Sequence, residues 1–238
     1  MQLLKSPFFA PLKTSKTEAV LWISVVVLMI LKIYEGDRTF WEDHFSGDME
    51  DSQMYRWYKW LYHHFATLLL FAAVPMLIIK TNFKEKLRDY GWQWGDWKFG
   101  LKATLITMAI MPFLVYNSAL KPEHFAFYHD GFPLELATSS IALFALWGLS
   151  YLPHYIGWEF FFRGYIQFGF GKKYGLFMAL MLQVLLTALM HIGKPEAETW
   201  GAVFGGVYMG LLAYRTRSIA WPLAFHFYVG MLNSYFCR

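Results

Sequence analysis

The sequence predicts an all-α fold, a polytopic membrane protein built as a bundle of about seven or eight transmembrane helices. Hydrophobic residues make up 57% of the 238 residues and charged residues only 16%, whereas a soluble domain carries about 25% charged residues. The apolar residues are also gathered into blocks of roughly 17–25 residues, the length that crosses the hydrocarbon core of a bilayer. This composition does not fit a soluble enzyme.

Seven apolar blocks are predicted as membrane helices. They lie at about 19–34, 60–79, 99–120, 136–169, 174–191, 199–214 and 218–236. The first is expected to be a retained span, because residues 1–16 carry three lysines and two prolines and lack the apolar run of a cleavable signal peptide. Tryptophan clusters at 57–60 and 92–97 precede the second and third blocks, as is typical of membrane interfaces.

The fourth block is too long for one straight crossing. A helix of its length, about 34 residues, would extend roughly 50 Å at 1.5 Å per residue. We expect it to bend or break at Pro153 and Gly157, because proline removes a backbone hydrogen bond and glycine permits unusual dihedral angles. A break there would place irregular backbone directly before Glu159.

The last three blocks carry polar or small residues at helical spacing. In the fifth, polar residues recur at intervals of four: Gln183, Thr187 and His191. In the sixth, glycines form two pairs with the same spacing: Gly201 with Gly205, and Gly206 with Gly210. In the seventh, one face carries His226, Gly230 and Asn233. The glycine pairs predict close helix packing, and Gln183 and Thr187 are interpreted mainly as contacts between helices.

The chain is expected to form one integral membrane domain with two regions. Residues 1–134 would supply three helices and an acidic outer loop at 35–59. Residues 135–238 would supply a core of about four helices, since the remaining four apolar blocks lie there.

The distribution of basic residues predicts the orientation. With a cytoplasmic N-terminus, the inner segments hold 13 lysines and arginines and the outer segments hold 6. Because basic residues are enriched on the cytoplasmic side of membrane helices, this predicts an N-in, C-out protein, expected in a bacterial inner membrane. The net charge of +4 is explained by these loops. The bilayer is therefore an expected partner, and nucleic acid is not.

When Lys102 at the inner end of the third block is counted with the inner segment, three charged residues remain inside the predicted spans: Lys32, Glu159 and Arg163. Lys32 lies near a helix end, from which its amine can reach the interface. A charge at the bilayer centre costs about 2.5–3.5 kcal/mol, and such residues usually mark function. Glu159 and Arg163 are four residues apart, so they can pair on one helical face, either as a structural ion pair or as part of a reactive site.

Three ordered motifs in the second half resemble those of a known family. They are Trp158-Glu159-Phe-Phe-Phe-Arg163-Gly164, then Thr187-x-x-x-His191, then His226-x-x-x-Gly230. Together they are similar to the motifs of the CPBP family, which contains the CAAX-type intramembrane proteases and the bacteriocin-processing or Abi proteins. The resemblance covers residues 135–236 and implies an all-helical membrane bundle.

The resemblance also implies roles for individual residues. In the family, the leading glutamate of a Glu-Glu pair activates water with the histidine of the second motif, and the histidine and asparagine of the third motif stabilise the oxyanion. Here Trp158 replaces the leading glutamate and Gly230 replaces the asparagine. If these roles are carried over, Glu159 would be the base and His191 would share the water. His226 and Asn233 would be the oxyanion donors, and Arg163 would orient Glu159.

Two functions follow from this pattern. The first is an intramembrane endopeptidase that cleaves a membrane-associated protein or peptide. The second is a catalytically inactive relative that serves as a scaffold, assembly factor or accessory subunit of a larger membrane complex, since Trp158 cannot accept a proton. Two histidines and one carboxylate could ligate zinc in principle, but scattered single ligands do not favour a metal, and no cofactor is expected.

Helix geometry sets a condition on the single-site hypothesis. Counted along straight helices at 1.5 Å per residue, Glu159, His191 and His226 would lie at depths that differ by about 13 Å. The helices must tilt or bend if these side chains are to meet.

Overall fold

The structure, a computed structural model, describes residues 15–238. The described part of the chain is helical, with no strand. The long helices are α1 (Lys16–Tyr34), α3 (Gln53–Leu68), α5 (Trp97–Ala119), α8 (Ile141–Glu159), α9 (Gln167–Leu189), α10 (Glu196–Thr216) and α11 (Ala220–Phe236). The short ones are α2 (Arg38–Phe45), α4 (Val74–Ile78), α6 (Pro122–Gly131) and α7 (Leu134–Ala137). Within the described residues, this confirms the all-α prediction.

Between residues 15 and 238, four helical stretches are long and apolar enough to cross a membrane: Lys16–Tyr34, Gln53–Phe83, Trp97–Ala119 and Ile141–Leu189. Large apolar side chains such as Ile23, Phe113 and Ile141 are exposed along these stretches, as suits contact with lipid rather than water. The protein is a polytopic helical membrane protein. The number of crossings, the inward N-terminus and the division at residue 134 stay predictions.

Side-chain caps fix where several helices begin. Ser15 and Glu18 form a reciprocal capping box at the start of α1. The hydroxyls of Ser52 and Ser140 accept hydrogen bonds from backbone N–H groups at the starts of α3 and α8. The Asp96 carboxylate does the same for Phe99 at the start of α5. These caps satisfy N–H groups that have no partner within the helix.

The predicted break at Pro153 and Gly157 is wrong, because α8 stays helical through both residues as far as Glu159. Gly157 instead allows close packing against α3, since a Cβ atom at this position would lie 2.4 Å from the Thr67 carbonyl oxygen. The irregular backbone follows Glu159 and consists of a π-helical turn at Phe160–Ile166. A kink lies at Gly175, whose φ of 75° and ψ of 168° divide α9.

Helix α8 occupies the centre of the bundle. It packs against α3 on one side and α11 on another, while α9 packs against α10 and α5 against α11. Two aromatic clusters fill the interior. One is built around the buried phenylalanines of the π-helical turn, Phe160, Phe161 and Phe162, and the other contains Trp147 and Phe132. Glu159 lies at the end of α8, directly before the first cluster.

Candidate active site

Glu159 and His226 meet across the α8–α11 contact. The Glu159 side chain is completely buried, and its Oε1 atom lies 2.6 Å from Nδ1 of His226. Because an ionised carboxylate only accepts hydrogen bonds, Nδ1 of His226 carries the proton in this contact. The His226 side chain is half-buried, so it joins the enclosed carboxylate to more open space.

The ion pair expected from the i, i+4 spacing is present. Nη1 of Arg163 donates to Oε1 of Glu159 at 3.2 Å, and both side chains are fully buried. Oε2 of Glu159, and Nε and Nη2 of Arg163, have no hydrogen-bond partner among the described residues. Removing one member of such a pair leaves an uncompensated buried charge. Glu159, Arg163 and His226 thus form one coupled group.

Glutamine side chains hold α9 and α10 together beside this group. Nε2 of Gln183 donates to the Gly206 carbonyl at 2.9 Å, and Nε2 of Gln167 donates to the Gly210 carbonyl at 2.8 Å. The interpretation of Gln183 and of these glycines as helix packing is therefore confirmed. The close approach also brings the Gly206 backbone near Arg163.

His191, at the turn after α9, is held in a defined tautomer. Its Nδ1 atom lies 2.8 Å from the Thr187 carbonyl oxygen. A carbonyl can only accept, so Nδ1 is protonated and Nε2 is left as an acceptor. The edge of Trp158 packs against the imidazole, with ring centroids 5.5 Å apart. Trp158 therefore contributes packing at the position where the resemblance expects a carboxylate.

A cavity of about 1100 Å³ lies between α5, α8, α10 and α11. It is lined by His191, His226 and Asn233, with Trp158 in its wall. Glu159 and Arg163 are not among the residues that line it. The structure thus brings the predicted residues to one place but separates them into two layers. The histidines and Asn233 face the cavity, and the ion pair lies behind His226.

Asn233 is held by a residue from another helix. Its Oδ1 atom is 3.0 Å from Nε2 of His124 in α6. With the carbonyl oxygen accepting this bond, the amide nitrogen keeps its hydrogens for other partners. Asn233 is therefore available as a donor towards the cavity.

Glu198 is a cavity residue that the sequence analysis did not identify. Oε1 accepts a hydrogen bond from Nζ of Lys194 at 2.7 Å, and Oε2 accepts one from the Tyr128 hydroxyl at 2.8 Å. Glu198 directly precedes the sixth predicted helix, at 199–214. The signal that could have found it is Pro195, which precedes the first turn of α10, where a carboxylate favours the helix N-terminus.

A second polar group also lines the cavity. Nζ of the buried Lys32 donates to the Gly36 carbonyl at 2.9 Å and lies 3.2 Å from Nδ1 of His63. The His63 ring also contacts the Asp37 carboxylate at 3.0 Å. The Lys32 amine thus reaches past the end of α1 but stays buried, and its approach to the membrane interface stays a prediction.

No group of three or more histidine, cysteine, aspartate or glutamate side chains in residues 15–238 is arranged to hold a metal ion. The expectations of no metal and no cofactor stay predictions.

Comparison with known proteins identifies the region that contains this site. Residues 140–232, about two fifths of the chain, match the family described as Type II CAAX prenyl endopeptidase Rce1-like. No curated protein and no solved structure matches the chain significantly. The matched region includes Glu159, Arg163, His191 and His226. This match agrees with the resemblance of residues 135–236 to the CPBP family.

Proposed function

We propose that this chain is an active intramembrane endopeptidase of the CAAX-protease type. One observation carries the proposal. His226, held at Nδ1 by the buried Glu159 carboxylate at 2.6 Å, lines the same cavity as His191. In both imidazoles Nδ1 is engaged in a hydrogen bond, which leaves Nε2 for substrate or water. The two rings thus border a space large enough for a peptide.

His191 suits the role of general base. Metal-free peptide hydrolysis needs a group that removes a proton from water as the oxygen attacks the carbonyl carbon. Nε2 of His191 can accept that proton, because Nδ1–H is used by the Thr187 carbonyl. When the carbon–nitrogen bond breaks, the same proton passes from Nε2 to the leaving nitrogen, and His191 returns to its starting state.

His226 and Asn233 suit the roles of oxyanion donors. As the water oxygen bonds to the carbonyl carbon, the carbonyl oxygen takes the electron pair and must be stabilised by fixed hydrogen-bond donors. Protonated His226 can donate from Nε2 while Nδ1–H remains on Glu159. The Asn233 amide is a second candidate, since its oxygen already accepts from His124.

Glu159 is best assigned as a positioning residue. Its Oε1 atom accepts from both Arg163 and His226, and its side chain has no exposed surface. It can therefore orient His226 without touching substrate. Direct activation of water by Glu159 stays a prediction, as does orientation of Glu159 by Arg163.

The substrate that best fits the cavity is a membrane-associated protein or peptide that carries a lipid group. Part of the wall is apolar: Ile110, Met111, Leu114, Val115, Phe204 and Met209. The matched family is named for prenyl endopeptidases. A prenyl chain against this wall would bring the neighbouring peptide bond towards the histidines.

The alternative function is that of a non-catalytic scaffold or accessory subunit of a membrane complex. Two observations favour it: Trp158 stands at the leading carboxylate position, and Glu159 does not line the cavity. In this case, Glu159, Arg163 and His226 would serve only to hold α8 and α11 together.

Turnover in liposomes separates the two functions. The purified full-length chain would be given fluorogenic peptides with and without a prenylated cysteine near the C-terminus, beside the variants His191→Gln and His44→Gln. His44 is an exposed histidine of α2 and serves as the control. We expect His191→Gln to lower kcat by about 100-fold or more and His44→Gln to leave it unchanged. If the unsubstituted chain cleaves no faster than folded His191→Gln, the scaffold function is favoured.

A further inference from the structure

The Tyr155 hydroxyl occupies the space beside Gly230. A Cβ atom added to Gly230 would lie 1.7 Å from the hydroxyl oxygen of Tyr155 and 2.6 Å from its Cζ atom. Any side chain at position 230 would therefore overlap the end of the tyrosine. Gly230 is also the position at which the sequence lacks the amide expected from the resemblance, so the hydroxyl stands where that side chain would begin.

Tyr155 and His226 are neighbours. Their rings meet edge to face, with centroids 4.9 Å apart. On α8, Tyr155 is four residues before Glu159, and on α11, Gly230 is four residues after His226. Residues with this spacing share a helical face. The Tyr155–Gly230 contact therefore lies one helical turn from the Glu159–His226 contact, along the same helix pair.

The ring of Tyr155 is fixed and its hydroxyl is near the cavity. The ring packs against Tyr151 and Phe227, with centroids 4.7 and 5.7 Å away. Tyr155 lines the same cavity as His191 and His226. Within residues 15–238, its hydroxyl donates to no backbone carbonyl and to no carboxylate, and it shares a side-chain hydrogen bond with Tyr151. Because a hydroxyl proton can rotate, a hydroxyl paired only with a second hydroxyl can turn to donate to an oxyanion.

We propose that the Tyr155 hydroxyl donates a hydrogen bond to the oxyanion, next to His226. This assignment rests on the protease function proposed above and adds a residue to it. Tyr155 keeps its proton throughout, so its hydrogen bond adds no covalent bond and no proton transfer to the reaction. The Tyr155 hydroxyl thus takes the donor role that the resemblance expects from a side chain at position 230. A side chain there would overlap Tyr155.

Removal of the hydroxyl alone gives the first test. We expect Tyr155→Phe to lower kcat by about 100-fold, the cost typical of one lost oxyanion donor, with KM changed less than about threefold. The matched control is Tyr165→Phe. Tyr165 is fully buried outside the cavity, and its hydroxyl lies 2.7 Å from that of Ser24. The kcat of Tyr165→Phe should stay close to that of the unsubstituted chain.

A reciprocal exchange gives the second test. Gly230→Asn alone should lower both Tm and turnover, because the new Cβ would overlap the Tyr155 hydroxyl. In the Tyr155→Ala background, the same change should lower Tm little further, and it should raise kcat at least about 10-fold above that of Tyr155→Ala, since an amide can replace the lost donor.

The outcomes distinguish this assignment from the protease proposal. If Tyr155→Phe keeps kcat within about threefold while His191→Gln abolishes turnover, the hydroxyl is not a donor and the protease proposal stands. If Asn233→Ala lowers kcat by about 100-fold and Tyr155→Phe does not, the oxyanion donor is Asn233 and the assignment to Tyr155 is overturned. If the unsubstituted chain does not cleave above folded His191→Gln, both proposals fall.

Discussion

Oε1 of Glu159 lies 2.6 Å from Nδ1 of His226, although these residues are on different helices and 67 positions apart in the chain. The same oxygen also accepts from Arg163. A single carboxylate oxygen thus joins a buried cation to a histidine at the cavity surface. Substitutions at Glu159 and His226 should not act independently.

A double-mutant cycle measures this dependence. Glu159→Gln and His226→Gln should each lower kcat by about 100-fold or more, because either change removes the charged contact that positions His226. The double variant should be nearly as active as the weaker single variant, since residues that act as a unit are not additive. Four kcat values, from proteins shown to be folded by their Tm, complete the cycle. Multiplicative effects would mean that the two side chains act separately.

The sequence could predict the local half of this site. The four-residue spacing predicted that Glu159 and Arg163 can pair, and the structure confirms the pair. The meeting of Glu159 with His226 was expected only from the family resemblance, because straight helices placed the candidate site residues at different depths. Actual helix directions depend on packing, on the π-helical turn after Glu159 and on the kink at Gly175.

Two cavity residues were missed for different physical reasons. Glu198 is close to the predicted end of a span, where an acidic residue is normally solvated. Tyr155 is an aromatic residue in an apolar helix, where such side chains usually serve packing. Its proposed role depends on the absence of a side chain at Gly230, which lies on a different helix. Neither the cavity position of Glu198 nor the contact of Tyr155 with Gly230 can be read from residues adjacent in the sequence.

Gly157 should be sensitive to an added methyl group. Its ideal Cβ would lie 2.4 Å from the Thr67 carbonyl oxygen, which belongs to the backbone and cannot rotate away. We expect Gly157→Ala to lower stability by about 1–3 kcal/mol, the usual cost of overpacking. Gly201→Ala is the control, because nothing lies within 4 Å of its ideal Cβ. Reversible denaturation in detergent, followed by circular dichroism, would measure both. Equal stability of the two variants would contradict close packing of α3 and α8.

Asp96 should contribute stability that depends on pH. Its carboxylate accepts from the backbone N–H of Phe99 and pairs with Arg215 at 2.9 Å, and these contacts hold its pKa below the usual value. A lowered pKa in the folded state stabilises the fold above the ordinary pKa, about 3.9, and this contribution is lost as the pH falls through the lowered value. Asp96→Asn should therefore have a lower Tm than the unsubstituted chain at pH 7.

The difference in Tm between Asp96→Asn and the unsubstituted chain should shrink below about pH 4, where Asp96 becomes protonated. Asp89→Asn is the control, because Asp89 also precedes α5 and its contact with Arg88 is long, at 3.8 Å. A difference that persists unchanged into strong acid would show that the ion pair with Arg215 is not its source.

The N-in, C-out orientation can be tested through cysteine labelling. The native Cys237 is fully buried, and burial raises its pKa to about 11, so little thiolate forms at pH 7. It should therefore stay unlabelled in intact membranes. Any labelling then comes from cysteines introduced at exposed positions. We expect a membrane-impermeant maleimide to label Asp48→Cys in intact cells, and to label Lys84→Cys only after the membrane is opened, because the excess of basic residues assigns residue 84 to the cytoplasmic side. The opposite pattern would reverse the orientation. It would also place the 35–59 loop, which carries Asp37 of the cavity wall, in the cytoplasm.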